Sequence, residues 1–316
     1  MMRSLENPLV EIAVKPLDYF GPADSALAKA LAAPFSWPQS GLTPLPWFPF
    51  TVAASRSAVP AAMRIAQRTE RAYWHLRKRL RFTPRFRLLV LDRADWAKHA
   101  EVAMYGIAHF TEGGHLVVGS ETADAWDDIS RELASRLPAP SLRTLIKAHG
   151  AHRVHRDAPD LSAVAESLVA HELARVVADQ ARANFALPWM KDAFANYALI
   201  AVLGETDHAG LHRLGALAEA TRPLGGITRD VTALGACDAK LTPFEAVLVQ
   251  LALTRAAYAA YADEQDAPLT RWFDLARRER DADHELGRLL ARDVHPAIGA
   301  LALTGREWRE HIAHAA

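Results

Sequence analysis

Short apolar segments of strand length occur only in the front part of this 316-residue chain; beyond them the spacing of apolar residues is helical. Phe86 to Leu91 (FRLLVL) is a compact strand candidate. Tyr105 to Gly119 (YGIAHFTEGGHLVVG) reads as two strands around a Gly113-Gly114 turn. Later segments show three- and four-residue periodicity: Leu161 to Ala181, Asp192 to Leu203, Pro243 to Tyr261, Leu269 to Arg278 and Asp283 to Leu290. Strands first and helices afterwards exclude an alternating βαβ fold and predict an α+β fold with a helical C-terminal lobe.

Other signals fill in the order. Met63, Ile65, Ala66, Ala72, Tyr73, Leu76 and Leu80 predict a helix from Val59 to Leu80, with Pro84 as its stop signal. Glu121 to Leu137 predicts another, ended by Pro138. Asp160 is the expected N-cap of the helix from Leu161, which turns Val164, Leu168 and Val169 inward. Gly204 is the expected end of the helix from Asp192. Residues 1–56 are dense in proline and aromatics, as in Pro44-Leu45-Pro46-Trp47-Phe48-Pro49-Phe50, and read as an extended wrap pinned by its rings. The expected organisation is an N-terminal extension over 1–56, an α+β lobe over 57–204 and a helical lobe over 205–316.

Composition narrows the function. Lys+Arg and Asp+Glu both number 37, so the formal charge is zero, against a generally basic nucleic-acid binder. The single cysteine, Cys237, excludes an intrachain disulfide and a cysteine-rich zinc site, and reads as a buried apolar residue. Arg3, Glu6, Glu11 and Lys15 break any signal-like run, and no uncharged stretch approaches a membrane span. The expectation is a soluble cytoplasmic protein without a membrane partner.

One motif carries chemistry. His171-Glu172-Leu173-Ala174-Arg175 matches the zinc-protease pattern His-Glu-x-x-His except at its last position. Residues four apart share a helical face, so two histidines so placed can hold one metal while the glutamate activates its water. His284-Glu285-Leu286-Gly287-Arg288 repeats the match and reads as an ordinary solvated helix. Context separates the two: Leu187-Pro188-Trp189-Met190-Lys191-Asp192-Ala193-Phe194-Ala195-Asn196-Tyr197 follows the first. This segment resembles Leu-Pro-x-Trp-(x)-x-Glu-Gly-Phe-Ala-x-Tyr of the gluzincins, the peptidase MA group of zincin-like metallopeptidases. That resemblance covers roughly 57–204 and implies a zincin-like (thermolysin-type) lobe with a small mixed sheet. It implies Glu172 as general base, His171 and Asp192 as zinc ligands, and a cleft-edge strand over His115, Leu116, Val117 and Val118 that pairs with a peptide.

The departures from that pattern shape the functional expectation. Arg175 stands at the second histidine position and has no lone pair for a metal. Asp192 is a methylene shorter than the usual glutamate, Ala193 replaces a glycine, and the remaining ligands fall below the three that catalytic zinc uses. Zinc is therefore the implied cofactor, with none as the favoured reading. Arg175 can instead pair with Asp192 and Glu172 in place of the metal, or with Asp179 along its own helix. The leading reading is an inactive relative that binds a peptide or protein in its cleft. The alternatives are an active peptidase with an unusual ligand set, and nucleic-acid binding through the basic run Arg71, Arg77, Lys78, Arg79, Arg81, Arg85 and Arg87 with Tyr73, Trp74 and Phe82. His149, His152 and His155 read as a solvated loop, with metal binding a minor option. His109, His115, Tyr258 and Tyr261 are further candidates for the cleft, the tyrosines as oxyanion donors.

Overall fold

The computed structural model describes residues 41–185, 187–224, 242–278 and 286–301. Cys237, His284 and Glu285 lie outside them, as do the first 40 residues of the expected extension. The architecture is mixed α+β: a small mixed sheet in the front part, with helices predominating after it. None of the described helices is long and apolar enough to cross a membrane.

The sheet contains β1 (Thr43–Leu45), β2 (Thr51–Ala54), β3 (Arg87–Leu91), β4 (His109–Phe110) and β5 (His115–Gly119). Their order is β1-β2-β3-β5-β4. The β2–β3 and β3–β5 pairs are parallel, and the two outer pairs are antiparallel. Two expectations change here. The end of the stretch read as an extended wrap supplies β1 and β2, and β2 is an inner strand. Pro44 sits on the outer strand β1, where its missing N–H costs least. Among the described residues, the edge on the other side is β4: His115 to Val118 belong to β5, an inner strand in register with both β3 and β4. The hairpin itself forms as expected, with Gly114 at φ +80° in its turn.

Strand alternation divides the core. Leu88, Val90, Leu116 and Val118 face the main helical core, while Leu89, Leu91 and Val117 face a small cluster with Ala53 and Trp96. Trp96 comes from α2 (Arg93–His99), a one-sided cover with a single buried residue, which the sequence reading did not detect. Its N-cap is Asp92, whose side chain accepts from the Asp95 N–H at 3.0 Å.

Helix α1 (Val59–Leu80) has the expected bounds and buries Ala62, Ile65, Ala66, Ala72, Tyr73, Leu76 and Leu80; Met63 is exposed instead. Arg81 ends it in the left-handed region at φ +50°. The stretch before the helix is pinned by aromatics: Phe50 meets Phe86 at 4.6 Å and Tyr73 at 5.7 Å between ring centroids. Pro138 both follows α3 (Asp124–Arg136) and caps α4 (Ala139–His149). The run read as a basic loop around His149 is thus partly the last turn of a helix.

The motif helix is α5 (Ser162–Gln180), followed by α6 (Pro188–Thr206) and α7 (His208–Ala220). Leu161, not Asp160, occupies the α5 N-cap; the Asp160 carboxylate accepts from the Ser162 N–H one position along. α6 starts four residues earlier than expected, with proline at its first position, and runs through Gly204 to a cap at Asp207. α8 (Pro243–Glu264) opens with a capping box of Thr242 and Glu245, and α9 (Ala267–Arg278) follows. A short α10 (Leu286–Leu289) runs into a π-helical turn at Leu290–Val294.

Candidate functional site

The motif helix is apolar on most sides. Val169, Ala170, Leu173, Ala174, Val176 and Val177 are buried, and α5 packs beside α6, β4 and β5. Of the motif's polar residues, His171 is buried, the Glu172 side chain is 16% exposed and that of Arg175 38%. His171 and Glu172 are neighbours that meet each other: His171 Nδ1 donates to Glu172 Oε1 at 3.0 Å. The other ring nitrogen of His171, Nε2, is buried with no hydrogen-bond partner.

Arg175 reaches across to the next helix. Its NH1 donates to Asp192 Oδ1 at 2.7 Å, and its Nε lies 3.9 Å from Glu172 Oε2. Of the two pairings open to Arg175, the structure therefore contains the bridge to Asp192. Asp179 is engaged by Lys191, at 2.5 Å. The far oxygen of Asp192 accepts from Gln250 Nε2 of α8 at 3.3 Å, and Asn196 Nδ2 donates to the side-chain Oε1 of the same Gln250 at 2.8 Å. One guanidinium thus joins α5 to α6, and one amide extends the network to the C-terminal helices. Burial alone would raise the Glu172 pKa, but the hydrogen bond from His171 and the charges of Arg175 and His109 bring it below the ordinary glutamate value.

The donor set does not fit a catalytic zinc. The unpartnered His171 Nε2 is the atom such a site would use. Arg175, however, has no lone pair, and it occupies the Asp192 oxygen that would face the ion. Among the described residues, one group of three His, Asp or Glu side chains comes within metal-binding reach, and it is elsewhere: His75, Glu205 and Asp266.

Of the other candidates, His109 lies near enough to lower the Glu172 pKa, and the rest are dispersed. His109 is on the edge strand, stacked edge-on against Trp96, with Nδ1 2.8 Å from the Ile107 carbonyl. His115 is paired in register with Arg87; its pKa is lowered by burial and by the charges of Arg87 and His99. His149 Nε2 lies 2.9 Å from the Arg213 carbonyl, and His152 Nε2 lies 3.0 Å from Asp127. His152 also stacks on His155 at 5.4 Å. Tyr258 packs against Gly215 of α7, and Tyr261 against Gly204, far along α6 from Asp192.

The basic run is split by the α1 periodicity. Tyr73 is core, Arg79 turns to Asp266 at 2.6 Å, and Arg77 lies over the exposed Trp74 ring at 5.0 Å. Gln250 and Asn196, which complete the Asp192 network, carried no sequence signal as site residues. Asn196 lay inside the resembling segment, but Gln250 is 58 positions from its partner. No family model, curated protein or solved structure matches this chain.

Proposed function

We propose that this chain is a gluzincin-type scaffold in which Arg175 takes the place of the metal, leaving a cleft that binds an extended peptide without hydrolysing it. The observation that carries the reading is the 2.7 Å bridge from Arg175 to Asp192, with Glu172 3.9 Å from the same guanidinium. A fixed monovalent cation neutralises the carboxylates that a dication would otherwise neutralise. It cannot polarise a carbonyl or lower the pKa of a bound water as a metal does. The short strand β4, which is the sheet's outer strand among the described residues and lies beside the motif helix, supports the binding half of the reading. An extended chain adds to such an edge through backbone hydrogen bonds.

The test combines hydrolysis with binding. Mixed-sequence peptides incubated with the purified chain, with and without added zinc, should stay intact. Hydrogen exchange should show new protection at His109–Phe110 when a peptide from that mixture binds. Hydrolysis that disappears in Glu172→Gln would establish a working peptidase and sink the proposal. Unchanged exchange at β4 with every peptide tried would remove its binding half.

A further inference from the structure

The basic residues of α1 fall into two sets. Arg64 and Arg68 pair with Glu166, and Arg79 with Glu205 and Asp266. Arg71, Arg77 and Lys78, with Arg81 at the helix end, are exposed, and among the described residues none of the four makes an ion pair. The sets occupy separate arcs of the helix: at about 100° per residue, Arg71, Trp74, Arg77 and Lys78 fall within about 120° of one another, outside the arc of the paired arginines. We propose that this stripe binds single-stranded nucleic acid, with Trp74 as the stacking platform for a base and the four cations along the phosphates.

Trp74 supplies the observation that charge alone does not. It is 47% exposed, whereas Tyr73, Leu76 and Leu80 beside it are buried. Its ring is held in place. The indole N–H points to Glu70 Oε1 at 3.4 Å, Tyr73 meets the ring edge-on at 5.1 Å between centroids, and the Arg77 guanidinium lies 5.0 Å from its centre. An oriented, water-exposed indole among cations is the arrangement that single-strand binders use, because every base has a π-face to stack. Arg77 extends the platform, since guanidinium planes also stack bases.

The surroundings favour this partner over other anionic ones. A helix that lies on a membrane buries its apolar face in the lipid, and that of α1 is already in the protein core. Only Trp74 and Met63 remain exposed on it as large apolar residues, about 16 Å apart along the axis. An acidic protein would match the charges but leave the ring unused. Glu70 is the only acid of α1, and Lys78 is near enough to Glu205 to lower its pKa without pairing with it, so the stripe keeps a positive balance. The chain as a whole is neutral, so the attraction is local and sensitive to salt.

The experiment is fluorescence anisotropy of a labelled oligo(dT) strand titrated with the purified full chain at several salt concentrations. Affinity should fall with salt at a log–log slope of about −2 to −3, for three to four phosphates neutralised. Trp74→Ala should weaken binding at least about 5-fold, and Trp74→Phe, which keeps a ring, should restore most of it. Arg71→Gln with Lys78→Gln should weaken binding and flatten the slope by about 1.4. Arg64→Gln, a charge loss on the paired arc, should bind nearly as the parent does. Failure of the parent chain to bind at low salt overturns the proposal, as does undiminished binding in Trp74→Ala or an equal loss in Arg64→Gln. Binding to polyglutamate, or to phosphatidylserine vesicles, without binding to the oligonucleotide would also overturn it and assign the stripe to an acidic protein or to a membrane. The cleft beside Arg175 is untouched by these variants, so the proposed function stands or falls separately.

Discussion

Replacing Arg175 with methionine keeps much of its apolar stem and deletes its charge. Breaking a fully buried ion pair costs about 3–5 kcal/mol, whereas exposed pairs are worth about 0–1 kcal/mol. Arg175 is 38% exposed and Asp192 16%, so the pair lies between those limits. A loss of about 2 kcal/mol follows, because Asp192 would keep only the 3.3 Å bond from Gln250. With about 2–4 °C per kcal/mol for chains of 150–250 residues, the melting temperature should fall by roughly 4–8 °C. Packing effects are removed by a double-mutant cycle with Asp192→Asn, followed by urea unfolding. A coupling energy of about 1–2 kcal/mol is expected. If the two substitutions were additive to within about 0.3 kcal/mol, the bridge would be an ordinary solvated pair, and the argument that it replaces a metal would fail.

Three further outcomes follow from the structure. The folded-state pKa of Glu172 is depressed, so its contribution to stability is complete above the unfolded value of about 4.3 and is lost as pH falls through the lower folded value. Unfolding free energies across acid pH should therefore decline less steeply in Glu172→Gln, and an identical slope would show that the carboxylate is not stabilised by folding. Gly204→Ala would place a Cβ 1.9 Å from the Tyr261 hydroxyl, costing on the order of 1–3 kcal/mol by overpacking, and Tyr261→Phe should recover part of the loss. A stable Gly204→Ala chain would contradict that contact. Thr242→Ala removes the α8 capping box and should cost about 1 kcal/mol in thermal unfolding, and an unchanged melting temperature would show that the cap adds nothing.

The long amphipathic pieces were legible because their periodicity is local. α1, the β4–β5 hairpin and α5 each declare their buried face within a dozen residues. What escaped was short or relational. β1 and β2 have three and four residues beside prolines, and α2 buries only Trp96, so none offers enough repeats to read. The place of β5 between β3 and β4 depends on pairing partners more than 20 residues apart, which alternation within a strand cannot encode. The bridge from Arg175 to Asp192 could be anticipated because the resemblance set both residues at positions of one expected metal site. Gln250 reaches Asp192 only through the packing of α8 on α6, so its part in the network appears only in three dimensions.

The distribution of charge along α6 has a mechanical consequence. Asp192 and Glu205 are its only acids, about 20 Å apart along the axis, and residues 193–204 between them are buried. Each acid meets an arginine borne by a different helix, Arg175 near one end and Arg79 near the other. The helix is therefore a strut clamped at both ends: sliding it by a single turn would tear both carboxylates from their cations.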